Sequence, residues 1–304
     1  MKFSIILPTY NRASTFLKQA IDSVVSQSYE NWELIIIDNN STDNTDELIK
    51  SFHNEKIKTY KIDNHGNIAR SRNLGIKKSN GDYIALIDSD DFWEKDKLLH
   101  SYKHFKNSKT DGFCHSEYWL YPSGCQEIRH YGPNQNFLYS NLLERGNCLS
   151  LSAIVLSKDI LIKVGGFSEN DSFITAEDYD LWLRLAKINS KMFFSKKIMG
   201  TFRIHVDSES RNIMKNTNAV SKVIKAHCIK HNLSNSIRNN SLANCWLIAG
   251  KIFQLNNEYK HACKAYFKSL SYSFLSVEAL ILLFSLTLPH KFFISCREFI
   301  RKKI

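Results

Sequence analysis

The sequence predicts an α/β domain on a mostly parallel sheet, followed by a basic helical region. Three observations predict it. Strand-length apolar runs alternate with helically spaced segments over the first 90 residues. Polar clusters fall at the ends of those runs, and the charge divides sharply along the chain. Within a formal net charge of +11, residues 211–304 hold 15 Lys and Arg against 3 acids, whereas residues 1–210 hold 26 against 27. A near-neutral part with its acids gathered in motifs suits an enzyme, and a basic part suits an anionic surface such as a membrane leaflet or nucleic acid. The expected domains are therefore 1–210 and 211–304.

Residues 3–7 read as a short buried strand. Leu17, Ile21, Val24 and Val25 recur at helical spacing and predict a helix over 15–28. A strand over 32–37 follows, and the Ser/Thr/Asp/Asn cluster at 39–45 supplies caps for a helix through Leu48 and Ile49. A strand at 57–62, a helix at 68–77 and a strand at 83–87 complete the series. Strands separated by helix-length segments imply crossover connections and parallel pairing. In such sheets ligands bind beyond the carboxyl ends of the strands.

Those ends carry the chemistry. Pro8, Thr9, Tyr10 and Asn11 follow the first strand, Asp38 ends the second, and Asp88, Ser89, Asp90 and Asp91 end the strand at 83–87. Neither Gly-x-Gly-x-x-Gly nor Gly-x-x-x-x-Gly-Lys-Ser/Thr occurs, so the phosphates of a nucleotide need another partner. The acidic triplet points to a divalent cation. Residues two apart in extended backbone face the same way, so Asp88 and Asp90 can present oxygens to one Mg²⁺ or Mn²⁺. The competing reading is a polar turn in which Asp91 caps the next helix.

Composition narrows the class further. With 304 residues, 43% hydrophobic and 23% charged, the chain has ordinary globular usage, which excludes disordered and collagen-like architectures. Seven cysteines without a Cys-x-x-Cys pair read as reduced thiols in a cytosolic protein. The first apolar run stops at Pro8 without a small-residue cleavage site, so no signal peptide is expected. The longest uncharged apolar stretch, 279–288, is about half the ~20 residues that span a bilayer, so no transmembrane helix is expected either.

The stretch IALIDSDDFWEKDKL at 84–98 resembles the metal-binding strand end of the family 2 glycosyltransferases, which have the GT-A fold. Other matches stand in the same order: SIILPTYNR at the first strand, LIIIDNNSTDNT at the second, RNLGI at 72–76, VGGF at 164–167, AEDYDLWLRL at 176–185 and FRIHVDSES at 202–210. The resemblance covers about residues 1–210. Departures are Lys95, where relatives often carry proline, and Ser168, where an acid is common.

The resemblance implies an inverting, metal-dependent transferase of the hexosyl or N-acetylhexosaminyl type. It would move a sugar from a UDP-sugar to a hydroxyl of a glycan or polyprenyl-linked acceptor in surface polysaccharide synthesis. It places Asp38 at the imide N–H of uracil beside Thr9 and Asn11, although an Asx turn is the plain alternative. Pro8, Tyr10 and Ser89 line the same nucleotide site. Arg72 pairs with phosphate or with Asp88. Asp90 is the leading metal ligand, Asp88 orients hydroxyls or shares the metal, Asp91 supports the cluster, and His205 is a further metal or phosphate ligand. Asp178 is the base that takes the acceptor proton, with Glu177 beside it. Without the resemblance, Thr175 and Asp178 would also fit a capping box, and Asp180 reads as structural.

In the basic part, Trp246, Gly250, Phe253, Ala262, Tyr266 and Ser269 have the spacing of one tetratricopeptide-type hairpin. After Pro289, Phe292, Phe293, Cys296, Phe299, Ile300 and Ile304 form an apolar stripe bordered by Lys and Arg, the pattern of an amphipathic helix on anionic lipid. The expected location is cytoplasmic and peripheral on the inner face of the membrane. Two rivals are a non-catalytic GT-A-like binding protein and a nucleotidyltransferase of related architecture. Retention of Asp38, Asp88, Asp90 and Asp178 together opposes the first, and the lack of glycine in PTYNR opposes the second. Lysines without an RNA-binding motif argue against nucleic acid.

Overall fold

The computed structural model describes residues 1–132, 137–205, 212–274 and 276–286. The chain forms two compact units, Met1–Tyr139 with Cys148–Asp207, and Ser140–Asn147 with Ser208–Ile304.

The first unit begins β1 (Phe3–Thr9), α1 (Leu17–Val25), β2 (Trp32–Asp38), α2 (Thr45–Lys50), β3 (Ile57–Lys61), α3 (Ile68–Lys78) and β4 (Tyr83–Leu86). Every residue of β1 and β2 is buried, as the near-continuous apolar runs of a covered parallel sheet require. The four strands lie in the order β3-β2-β1-β4, all parallel. The first two crossovers run to one side of β1 and the third returns to the other. This reversal opens a crevice at the carboxyl ends of β1 and β4.

The chain continues through β5 (Phe92–Trp93), α4 (Lys97–Asn107), β6 (Gly112–Leu120), β7 (Gln126–Arg129), α5 (Tyr139–Arg145), β8 (Ile154–Ser157), α6 (Lys158–Lys163), α7 (Glu177–Lys187) and β9 (Met192–Arg203). Here the sheet is mixed: β8 lies antiparallel between β4 and β6, β9 runs parallel to β6, and β5 adds antiparallel to β9. Pairing β5 with β9 brings the chain after Asp91 alongside Gly200 and Thr201. The ends of β4 and β9 thereby meet.

Two local details differ from the sequence reading. Helix α1 starts at Leu17 because residues 12–16 turn back on themselves, with Thr15 and Leu17 N–H both donating to Arg12 O. Asp88 and Asp90 lie in a turn closed by Asp91 N–H to Asp88 O at 3.1 Å, not in extended backbone. Strand alternation therefore does not set their directions.

The second unit contains α5, α8 (Ile213–Lys230), α9 (Asn235–Leu255), α10 (Tyr259–Tyr272) and α11 (Val277–Ser285). Trp246, Phe253, Ala262, Tyr266 and Leu282 share its core. Gly250 is required there, since a Cβ would fall 2.3 Å from the Tyr266 ring. Asn244 Nδ2 donates to Glu144 O, tying α9 to the α5 segment. On α11, Ala279 and Leu282 face the core while Val277, Leu280, Ile281 and Phe284 are exposed by 49–67%. Among the described residues no helix is long and apolar enough to cross a membrane. The expected amphipathic helix after Pro289 lies outside the described residues, as do 206–210 of the FRIHVDSES stretch.

Candidate active site

Thr9 and Asp38 sit side by side in register at the ends of β1 and β2. Asp38 is buried, and its Oδ1 accepts from Ser41 N–H at 3.1 Å and Ser41 Oγ at 2.5 Å, which is the turn weighed as the plain alternative. Oδ2 takes no hydrogen bond from the described residues, so this carboxylate can close its turn and still accept from a ligand. Asn11 adopts a left-handed φ of 50° and bridges the two loops, donating from N–H to Ser41 Oγ and accepting from Thr42 N–H. Asp43 reinforces the bridge by holding Ala13 N–H and Thr45 N–H. Pro8 remains within β1, whereas Tyr10 is 53% exposed at the crevice.

Arg72, on α3, is the hub. It is buried at 4% exposure, donates to Glu177 Oε1 at 2.6 Å and to Asp88 Oδ1 at 2.9 Å, and stands over the Phe167 ring. Burial opposes its charge, but Asp88 and Glu177 outweigh that and hold its pKa above the ordinary value. A single guanidinium thus joins the acidic turn to the start of α7. Arg72 Nε, Glu177 Oε2 and Thr9 Oγ1 are buried with no hydrogen-bond partner among the described residues. Unpaired buried polar atoms are rare away from functional sites.

At α7 the capping box does not form: Ala176 is the N-cap and no side chain caps it. Asp178 instead accepts from the adjacent Tyr179 N–H at 2.7 Å. Burial, reinforced by the charge of Glu177 and opposed by Arg72, pushes its carboxyl up to about 7. Thr175, two residues before α7, has a φ of 79°, a left-handed conformation that a β-branched residue enters only under strain of about 1–3 kcal/mol.

On the opposite side, His205 Nε2 lies 2.8 Å from Asp90 Oδ2, with the Phe16 ring against the imidazole. Arg203 donates from Nη1 to Asp90 O and from its N–H to Asp91 Oδ1. Asp91 is buried, and burial with the neighbouring acids Asp90, Asp88 and Glu117 raises its pKa well above the carboxylate range. Ser89 is buried beside it, and Asp180 pairs with Arg184 within α7.

The turn therefore sorts its acids by partner. Asp88 goes to Arg72, Asp90 to His205, and Asp91 to the protein interior. Among the described residues no group of three or more His, Cys, Asp or Glu is arranged to hold a cation alone. A carboxylate and an imidazole within 2.8 Å, side chains 23% and 11% exposed, would suit a Mn²⁺ or Mg²⁺ that drew further ligands from outside the chain.

The family model for glycosyl transferase family 2 matches residues 4–152. An Escherichia coli protein, the UDP-Glc:alpha-D-GlcNAc-diphosphoundecaprenol beta-1,3-glucosyltransferase WfgD, is 33% identical over 189 residues, covering 62% of this chain and 70% of its own. This chain belongs to family 2 of the glycosyltransferases. The E. coli glucosyltransferase WfaP, named for the same reaction, is 29% identical over 75% of this chain and 87% of its own. Solved glycosyltransferases place the family 2 enzyme in the GT-A fold. S. aureus TarS 1–349 in complex with UDP-GlcNAc has a TM-score of 0.65 at 17% identity, covering 94% of this chain and 84% of that one. The mannosyltransferase PcManGT from Pyrobaculum calidifontis, in complex with GDP-Man and Mn²⁺, has a TM-score of 0.62 at 14% identity over 99% and 84%.

Residue spacing does not reveal how this glycosyltransferase holds its acidic turn. Ser152, Lys97 and Trp93 all contact one another beneath the turn, and Ser152 lies about 60 positions from it in sequence. Arg203 stands inside the FRIH stretch and was legible as part of a motif, but not as a partner of Asp90 and Asp91.

Proposed function

We propose that the enzyme is an inverting, metal-dependent transferase that moves a sugar from a UDP-sugar to a hydroxyl of a lipid-linked glycan, with residues 1–210 catalytic. The observation that carries this reading is the sorting of charge in the crevice, with a carboxylate and imidazole pair on one side and a raised carboxyl at the α7 N-terminus on the other. The names of WfaP and WfgD supply the class of donor and of acceptor.

In this reading, Asp38 Oδ2 accepts from the uracil imide, and Thr9 and Asn11 border the base. Asp90 and His205 would hold the cation, which when bound would supply positive charge to offset the negative charge of the departing diphosphate. Asp88, fixed by Arg72, faces ribose or sugar hydroxyls. Asp178 takes the proton from the acceptor hydroxyl as its oxygen attacks the anomeric carbon, and the bond to the diphosphate breaks on the opposite face. Glu177, held by Arg72, keeps the α7 N-terminus against the donor.

Calorimetric titration with UDP tests the metal assignment. Affinity is expected to fall by more than about tenfold on adding EDTA and equally in Asp90→Ala, since the cation would supply the positive charge that offsets the diphosphate. Equal UDP affinity with and without cation would remove the metal from the mechanism.

A lipid acceptor also calls for contact with a membrane surface. Supporting it are the 15 Lys and Arg of residues 211–304 and the outward apolar stripe of α11. Deleting residues 289–304 removes five bases and one acid. With about 1 kcal/mol per basic residue near an anionic leaflet, sedimentation with anionic vesicles is expected to weaken markedly while UDP binding persists. Added salt should weaken the intact protein's binding without abolishing it, since apolar insertion is not screened. Undiminished vesicle binding by the truncated protein would move the contact to α11, and none by the intact protein would remove it altogether.

A further inference from the structure

We infer that Ser152, gripped from below by Lys97 and Trp93, is the positioning residue that sets the acidic turn for the donor. The inference rests on the reading that Asp88–Asp91 face the donor diphosphate. Ser152 lies in a single 3-10 turn, Leu151–Ala153, immediately before β8, and is 3% exposed. Its Oγ donates to Asp91 Oδ2 at 2.5 Å and accepts from Asp88 N–H at 3.1 Å, so one hydroxyl spans both ends of the turn. Its carbonyl accepts from Trp93 Nε1 at 2.9 Å and from Lys97 Nζ at 2.8 Å. Four hydrogen bonds thus converge on a residue that offers no charge of its own.

Lys97 is the unusual member. It is wholly buried, its ammonium end sits 3.3 Å over the Trp93 ring, and burial lowers its pKa well below the ordinary lysine value. Charged or neutral, the nitrogen donates, so its grip on the Ser152 carbonyl holds in either state. A buried lysine is costly to maintain, and an aliphatic side chain would fill the same space. What the lysine adds is a fixed place for the Ser152 carbonyl, and therefore for its hydroxyl.

The arrangement extends to the cation side. Asp91, once held by Ser152, accepts from Arg203 N–H at 2.8 Å, and Arg203 lies two residues before His205. Ser152 therefore governs how Asp90 on the turn and His205 after β9 are presented to each other. It touches neither donor nor acceptor and acts only through the turn.

The test is the Mn²⁺ dependence of UDP binding, measured by calorimetry on the full chain for the wild type, Ser152→Ala, Ser152→Thr and Lys97→Met. In Ser152→Ala the Mn²⁺ concentration at half-maximal UDP binding should rise about tenfold, the scale of one lost buried hydrogen bond. The much weaker binding in EDTA should stay within about twofold of wild type. Ser152→Thr, which keeps the hydroxyl, should recover most of the Mn²⁺ affinity, and Lys97→Met should lie between Ala and wild type. A variant that is only destabilised would lower the fraction of binding sites and leave the Mn²⁺ midpoint alone. Midpoints within twofold of wild type in folded Ser152→Ala and Lys97→Met overturn the inference. Failure of both to fold does so too, because the residues would then support the core and not the turn. Should UDP binding by the wild type itself be indifferent to Mn²⁺, the metal reading fails, and the inference with it.

Discussion

Asp178→Asn is expected to slow glycosyl transfer by about 10²- to 10⁴-fold, the usual contribution of a positioned general base, while UDP affinity stays within about twofold. The asparagine amide keeps the size of the carboxyl and cannot take the acceptor proton. A carboxyl pushed up to about 7 is a base only once deprotonated. The wild-type rate should therefore rise with pH through about 7 and then level, and the variant should lose that limb. Stability carries the opposite sign. A raised carboxyl favours the fold below its unfolded pKa near 4 and progressively less as pH climbs through 7. At pH 8 the variant should be at least as stable as the wild type by urea titration. Wild-type turnover in Asp178→Asn, or a pH profile with the limb intact, would assign the base to another residue.

The second large effect belongs to Arg72→Leu. The substitution leaves Asp88 and Glu177 facing each other's charge in a buried place without their shared guanidinium. Breaking a buried ion pair by removing one partner typically costs about 3–5 kcal/mol, a loss that urea titration reads directly. Transfer should disappear together with stability, since the same side chain holds Asp88 and the start of α7. Arg72→Lys keeps a charge but lacks the planar fork that reaches two carboxylates at once, so it should recover only part of the stability. A change below about 1 kcal/mol in Arg72→Leu would mean that the carboxylates rearrange into solvent and that the hub is not structural.

These expectations draw unequally on sequence and structure. The strands that lead to Thr9, Asp38 and the Asp88–Asp91 turn were legible because β1, β2 and β4 are almost wholly buried and read as near-continuous apolar runs, broken only at Ser4 and Glu33. Their parallel order followed from the helix-length gaps between them. Beyond residue 90 that logic lapses: β8 runs antiparallel between two strands with no single helix to span, and local composition does not encode direction. The partners of the acids were equally hidden. Arg72 and Glu177 stand 105 positions apart, and nothing in either neighbourhood announces the other. The capping box, the alternative reading of Thr175 and Asp178, does not form for a local reason, since Thr175 is left-handed and Ala176 is the N-cap.

The α5 segment has a consequence for how the chain is made. Residues 140–147 leave the first unit, join the second, and return at Cys148. Among them Glu144 O accepts from Asn244, 100 positions downstream. During synthesis from the N-terminus, β9 and its Asp90–His205 pairing emerge before α9 does, so the crevice can assemble while α5 still lacks its helical neighbours. Parts of a chain that emerge first generally fold first during synthesis. The growing chain should therefore pass through a stage in which a finished crevice carries an unfinished appendage. A gene cut at residue 210 would make that transient stage permanent.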